Sequence, residues 1–319
     1  MTPSPGEESL PPGFRSGFVA LAGRPNVGKS TLLNALVGEE VAITTRRPQT
    51  TRRRIRGMLN RGSCQIIFVD TPGIHLWTQG KSTPSLNKYM LAEAKAALGE
   101  VDLIVLLVDA AGRGGSLEPD DEDRLVLEAL RKAGRECLLC INKIDLLKQK
   151  EKLLPLIQAY QQTGMFAELI PVSALKNDGL ERLVAAIEAR LPEGPRYFPQ
   201  EMFTDQPERQ LAAEYIRRQV LLQTDQEVPY HSAVEIIAFE EDPDSGLIEL
   251  HAVIFVERNS QKGILIGKGG KKLKAIGAGA RKAIGRMLDR RVYLDLRVKV
   301  KKGWSRTPAG LRSVGYEEP

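Results

Sequence analysis

Residues Gly23-Arg-Pro-Asn-Val-Gly-Lys-Ser30 follow directly on the apolar run Phe18-Val-Ala-Leu-Ala22 and lead into a helical stretch, residues 30–37. A strand that empties into a glycine-bearing turn and then a helix is a cradle for an oligophosphate. Successive backbone N–H groups curl around the anion, and the helix N-terminus adds partial positive charge. The cradle consists of Gly23, Asn26, Val27, Gly28, Lys29, Ser30 and Thr31. Gly23 and Gly28 permit backbone angles and a close approach that a Cβ would block. Lys29 reaches the β- and γ-phosphates, Ser30 is a candidate Mg²⁺ ligand, and Thr31 lies next to the α-phosphate.

Three further motifs fall where apolar runs end. Asp70-Thr-Pro-Gly73 follows Phe68-Val69 and supplies a carboxylate for a Mg²⁺ shell, with the Gly73 N–H as a γ-phosphate sensor. Asn142-Lys-Ile-Asp145 follows the run that ends at Ile141. Guanine presents N1–H and the exocyclic N2–H₂ as adjacent donors, which one carboxylate, Asp145, can accept; adenine has no such pair. Each charge-assisted bond of this kind is worth roughly 1.5–3 kcal/mol. Asn142 and Lys143 brace that loop and pack on the base. Ser173-Ala-Leu175, after Pro171-Val172, offers backbone to the guanine O6.

The elements that must position these groups show in the hydrophobic pattern. The chain has 319 residues and 42% apolar content, ordinary for a globular protein of two domains. Apolar runs at 17–22, 65–69, 103–108, 137–141 and 168–172 alternate with helical patterns at 86–98, 121–132 and 180–191. Runs apolar on both faces predict a doubly wound, mostly parallel α/β sheet covered by helices on each side. Ligands of such sheets sit at the carboxyl ends of the strands. No run approaches the roughly eighteen residues that span a bilayer. The segment 1–12 has neither a basic start nor a long apolar stretch, which argues against a secretory signal and for a disordered tail. Cys137 and Cys140 share a C-x-x-C spacing, but on a strand they point to opposite faces, so buried apolar thiols are expected. His75, His231 and His251 form no ligand pattern.

The second half reads differently. Leu191-Pro-Glu-Gly-Pro-Arg-Tyr-Phe-Pro199 cannot continue a helix and marks a boundary. A helix from Pro207 to about Leu222 follows, then strands at 233–239 and 247–256 joined by the turn Asp242–Gly246, and a last strand at 292–300. Between them, an apolar half-helix with Ile264 and Ile266 meets Gly267-Lys-Gly-Gly270, and Lys271, Lys272 and Lys274 open the next helix. A Gly-x-x-Gly loop between helices, in this element order, is the KH-type signature. Its glycines let the backbone approach a sugar-phosphate chain, Lys268 and its basic neighbours add charge, and the two isoleucines floor a groove for splayed bases. Residues 258–303 hold fifteen Lys and Arg against two Asp, a local charge of about +13, whereas the whole chain carries +6. Such a face fits phosphate contacts. Tyr293 and Trp304 are expected to pack rather than stack on bases.

The four strand-end motifs, in this order, resemble the GTP-binding proteins. That resemblance implies a Mg²⁺-binding switch threonine in Pro48-Gln-Thr-Thr-Arg52; it favours Thr51, with Thr50 as the alternative. Ras-like GTPases carry a water-orienting glutamine after Asp-x-x-Gly, where Ile74 stands here. The chain thus resembles the hydrophobic-substituted GTPases, in some of which the residue matching Asn26 helps hold K⁺. With the C-terminal KH-type segment, residues 14–316 resemble the Era-type family of P-loop GTPases. The resemblance implies GTP and GDP as ligands, Mg²⁺ and K⁺ as cofactors, and slow hydrolysis. It also implies binding near the 3′ end of 16S rRNA and a role in 30S subunit assembly, as a cytoplasmic monomer. The expected division is a disordered tail (1–14), a GTPase domain (15–191), a Pro-rich hinge (192–206), a smaller α+β type II KH domain (207–304) and a C-terminal tail (305–319). Two other readings fit the residues less well. A tRNA-modification GTPase lacks support without a C-terminal cysteine motif. A membrane-associated GTPase, peripheral at the inner face through its basic patch, would need no Gly-x-x-Gly turn.

Overall fold

The computed structural model describes residues 10–74, 84–111, 121–149, 151 and 153–316; the expected disordered tail up to residue 9, His75 and the last three residues of the expected C-terminal tail lie outside them. The first compact unit takes in residues up to 41 together with 54–75 and 95–205. Its sheet has six strands: β1 (Arg15–Gly23), β2 (Ile55–Asn60), β3 (Cys64–Asp70), β4 (Leu103–Asp109), β5 (Glu136–Asn142) and β6 (Glu168–Pro171), in the order β2-β3-β1-β4-β5-β6. All pairs are parallel except β2 with β3. β3 is buried along its whole length, and the run Val19–Ala22 of β1 is inaccessible to solvent. Their unbroken apolar pattern is the consequence of helices on both faces.

The helices are α1 (Lys29–Val37), α2 (Pro84–Gly99), α3 (Asp121–Ala133), α4 (Leu153–Gln161) and α5 (Leu180–Glu188). α3 and α5 each bury one apolar stripe, Val126, Leu127 and Leu130 in the first and Leu183, Val184 and Ile187 in the second. The first four β–α connections bring Gly23, Asp70, Asp109 and Asn142 to the carboxyl edge, where the sequence placed its chemistry.

The stretch expected to be a hinge belongs to the first unit as far as Asp205 and is pinned along its length. Ser16 Oγ donates to Pro195 O at 2.6 Å, the Met58 amide to Phe203 O at 2.9 Å, and Thr204 Oγ1 to Arg56 O at 2.7 Å. Gln65, wholly buried, accepts from the Tyr197 and Phe198 amides at 2.7 and 3.0 Å and donates to Phe198 O at 2.8 Å. Its prolines stop a helix but leave carbonyls that these partners capture.

The second unit comprises residues 42–53, 76–94 and 206–319. Its core elements are α6 (Glu208–Gln223), β7 (Ser232–Glu241), β8 (Ile248–Val256), α7 (Asn259–Ile266), α8 (Lys271–Leu288), β9 (Val292–Val300) and α9 (Pro308–Arg312). The three strands form a sheet β7-β8-β9, antiparallel then parallel, and α6, α7 and α8 bury Ile216, Val220, Leu265, Ile276 and Ile284 in its core. Residues 305–316, expected as a tail, form α9 and an ordered end packed on Trp304. Among the described residues no helix is long and apolar enough to cross a membrane.

Candidate nucleotide and RNA sites

The phosphate loop is built by backbone conformation. Gly23 and Gly28 have φ of 144° and 102°, and Asn26 joins them at 64°. A Cβ at Gly23 would lie 2.5 Å from Leu107 O, and one at Gly28 would collide with the Asn142 amide. Glycine is required at both points. Gly28 caps α1 without a side-chain bond, and the first turn of that helix carries no acid, so its amide end stays available to an anion. Val27 is buried and Thr31 half-buried. Lys29 is buried, and its ammonium donates to Gly23 O at 3.0 Å and Arg24 O at 2.9 Å. Burial pushes it down to about 8, while the Asp70 carboxylate pulls it upward.

Ser30 Oγ donates to Asp70 Oδ2 at 2.6 Å. A hydroxyl and a carboxylate oxygen at the edge of a phosphate cradle are the hard donors that Mg²⁺ takes, so these two residues fit the ion. Thr71 Oγ1 ties the end of β3 to Leu21 O at 2.9 Å. Gly73 lies so near the loop that a Cβ there would be 2.6 Å from Pro25 N, and the Ile74 amide donates to Gly23 O at 3.2 Å. Thr51, the expected third metal ligand, is buried and belongs to the second unit, as does Thr50, whose hydroxyl bonds Thr45 Oγ1 and Arg47 O.

Asn142 joins three motifs. Its Nδ2 donates to Val27 O at 2.9 Å, and its Oδ1 accepts from the Ala174 amide at 3.0 Å. The phosphate loop, the Asn-Lys-Ile-Asp turn and the Ser-Ala-Leu turn are therefore one hydrogen-bonded piece. Lys143, in the left-handed region at φ 66°, extends its ammonium to Asn26 O and Asp109 Oδ2, both at 2.6 Å. Asp145 is exposed, and Ser173 Oγ holds its Oδ1 at 2.5 Å. Leu175, 71% exposed, stands on the turn beside it. Sequence reasoning missed Asp109. The signal was present, since it ends β4 as Asp70 ends β3. It also missed Arg24, whose guanidinium faces Asp123 at 3.3 Å and fixes the loop to α3.

In the second unit α7 stops at Gly267 (φ 70°), a single turn carries Gly269 (φ 60°) and Gly270 (φ 76°), and α8 begins at Lys271. All three angles favour glycine. A Cβ at Gly267 would come within 2.8 Å of the Lys272 Cβ, whereas Gly269 and Gly270 face open space. The loop thus exposes bare backbone at the start of a helix with no acid in its first turn. Lys268, Lys271 and Lys274 are exposed and Lys272 half-buried. Ile264 is exposed, while Ile266 packs partly into the core beside buried Leu265. Trp304 is packed as expected, but Tyr293 is 52% exposed, with the His251 ring at 6.5 Å and tilted 68° to it. The reason is position: Tyr293 lies on β9 opposite Glu249 of β8, a register whose side chains do not enter the core. Cys137 and Cys140 are buried in β5, and desolvation pushes the Cys137 thiol up to about 11 and Cys140 further.

A family model described as a 50S ribosome-binding GTPase matches residues 18–143, and a KH domain model matches 227–305. The GTPase Era of Syntrophus aciditrophicus is 49% identical over 305 residues, covering 96% of each chain. That of Heliobacterium modesticaldum is 49% identical, covering 96% of this chain and 98% of its own. Among solved structures, Aquifex aeolicus Era bound to GDP·AlF4⁻ superposes with a TM-score of 0.88 at 38% identity, covering 95% of this chain and 99% of the other. An Era complex with MgGDPNP and nucleotides 1506–1542 of 16S ribosomal RNA matches with the same score, identity and coverage.

Proposed function

The chain belongs to the Era family of GTPases, and we propose that it is a GTP-driven switch that clamps single-stranded RNA at the 3′ end of 16S rRNA during 30S subunit assembly. It hydrolyses GTP to GDP and phosphate. The RNA target is supported by the neighbour crystallised with 16S nucleotides and by the KH match. We place its action in the cytoplasm, as a monomer.

The observation that carries the nucleotide reading is the Asn142 bridge. One side chain locks the phosphate cradle to the turn that carries Asp145, so a ligand with phosphates in the first must present its base to the second. Asp145 accepts the guanine donor pair, held in place by Ser173, while Lys143 and Leu175 flank the base. Gly23 to Thr31 donate backbone N–H bonds to the phosphates, Lys29 neutralises them, and Gly73 senses the last. Ser30, Asp70 and Thr51 would hold Mg²⁺, which would supply charge neutralisation at the phosphates. Asn26 is the candidate K⁺ ligand. Gly267 to Gly270 clamp the RNA backbone, with Lys268, Lys271, Lys272 and Lys274 as counter-charge and Ile264 and Ile266 against the bases.

Calorimetry on the full chain tests the first site. GTP is expected to bind at least tenfold more tightly than ATP, and Asp145→Asn to erase most of that preference, since an amide no longer accepts with both atoms. Equal affinities for the two triphosphates would end this reading. For the second site, Gly267→Asp with Gly270→Asp introduces charge and left-handed strain where RNA would lie. A fluorescent 16S 3′-end oligonucleotide should lose binding at least tenfold, while GTP affinity is retained.

A further inference from the structure

Two consecutive side chains of the Asn-Lys-Ile-Asp turn reach back to two consecutive carbonyls of the phosphate loop. Asn142 Nδ2 donates to Val27 O at 2.9 Å, and Lys143 Nζ to Asn26 O at 2.6 Å. A trans peptide holds its C=O and the following N–H on opposite sides. A carbonyl drawn toward the end of β5 therefore turns the next amide the other way. The bond to Asn26 O fixes the Val27 N–H, and the bond to Val27 O fixes the Gly28 N–H. Asn142 is braced from behind, because its Oδ1 accepts from the Ala174 amide at 3.0 Å. Lys143 is a long, flexible chain in the left-handed region (φ 66°), a conformation strained for any residue with a Cβ. Its ammonium is steadied by Asp109 Oδ2, also at 2.6 Å. Asp109 is itself fixed. It ends β4 in register with Asn142 of β5, the Ala110 amide donates to Asn142 O at 2.9 Å, and Asp109 Oδ1 accepts from the Ala111 amide at 2.9 Å. The Asp109 side chain is 14% exposed and that of Lys143 29%. All of these residues lie within the first unit.

We propose that Asp109 is a positioning residue for nucleotide binding: it holds the Lys143 ammonium on the Asn26 carbonyl and so presets the Val27 amide for the phosphates. This rests on the reading of residues 23–31 as the phosphate cradle. A loop whose Asn26–Val27 peptide turned freely would have to order that peptide when the anion arrived, and the lost entropy would weaken binding. A peptide already held by a charge-assisted bond has met that cost during folding. The direction of the effect follows. Without the Asp109 charge the Lys143 ammonium divides its time between Asn26 O and water, the peptide loosens, and affinity falls. The amides of such a loop cradle the α- and β-phosphates, which GDP and GTP share, so both nucleotides lose alike. Guanine recognition stays with Asp145, which Ser173 Oγ holds independently at 2.5 Å.

The experiment titrates GDP and a non-hydrolysable GTP analogue into the full chain and into Asp109→Asn, Lys143→Met and the double variant. Asp109→Asn keeps the shape and an oxygen for the Ala111 amide but loses the charge that holds Lys143. Both nucleotides should bind about threefold to thirtyfold more weakly, the range for one charge-assisted bond partly open to water. Lys143→Met keeps an apolar stem, removes the ammonium, and should weaken both at least as much. On that background Asp109→Asn should bring no further loss, because the carboxylate has no ammonium left to hold. A purely structural role for Asp109 would add its loss whether or not the ammonium is present, so the cycle separates positioning from stability. The same cycle run with Asp109→Glu covers the case in which the amide variant does not fold, and the same rule applies to its losses. Losses that multiply in the double variant, an Asp109→Asn chain that binds both nucleotides as tightly as the unmodified one, or a loss confined to one nucleotide would overturn the role of Asp109 while leaving the GTPase reading intact. Failure of the unmodified chain to discriminate guanine from adenine nucleotides would overturn that reading and this role with it.

Discussion

At the scale of single residues, the chemistry turns on what is absent beside Gly73. Ile74 is buried, and its contribution to the loop is a backbone amide bonded to Gly23 O. A hydrocarbon cannot orient or polarise the attacking water, so charge on the transition state must be met by other groups. Asn26 is exposed, with its carbonyl taken by Lys143 in a left-handed turn. A monovalent cation beside it would place positive charge where many GTPases use an arginine finger. Steady-state hydrolysis at matched ionic strength should be several-fold faster in K⁺ than in Na⁺, a difference of about 1 kcal/mol in barrier, and Asn26→Ala should abolish the difference. Equal rates in the two salts would remove K⁺ from the mechanism. Asp70 and Asp145 were legible because each ends an apolar run inside a recognisable motif. Asp109 was not, because a lone carboxylate after an apolar run reads as a solvated turn until Lys143 is seen to reach it from 34 residues away.

At the scale of elements, the parallel strands were legible because burial on both faces leaves no polar alternation to misread. β2 was missed: Ile55-Arg-Gly-Met-Leu-Asn60 mixes apolar and polar residues, as an edge strand paired on one side by β3 does. The prolines mark 192–206 as a hinge because they interrupt a helix, whereas the order of the strap at 192–205 comes from partners about 130 residues earlier, which no local pattern reveals. Gln65 is the main anchor, and it also donates to Asn60 Oδ1 at 2.6 Å. Gln65→Ala removes the partner of two strap amides and a carbonyl in part-buried bonds. Each unmet buried group costs about 1–3 kcal/mol, so a loss of about 2–4 kcal/mol, allowing for partial rescue by water, is expected in urea unfolding of the first unit. Proteolysis should then cut near Tyr197. A midpoint unchanged within error would mean that the strap is held by its other bonds alone.

At the scale of the whole molecule, charge and connectivity point the same way. The +13 stretch at 258–303 exceeds the net +6, so the rest of the chain is acidic, and a polyanion is drawn to this stretch of the second unit. The chain passes from the first unit into the second for the last time at Gln206, immediately before Pro207, which caps α6. Residues 42–53 cluster with the second unit and 54–75 with the first, so a nucleotide that engaged Thr51 would act on a segment packed within the RNA-binding unit. Two ligands that bias one such element are coupled, and the coupling is reciprocal, typically about 1–3 kcal/mol. Affinity for the 16S 3′-end oligonucleotide should therefore differ between the GTP-analogue and GDP complexes by roughly fivefold or more. Saturating RNA should shift the affinity ratio of the two nucleotides by the same factor. The thermodynamic cycle must close: a shift seen from one side alone would mean that the two titrations report different RNA contacts. No shift from either side would mean that the switch and the clamp act independently, each with its own chemistry intact.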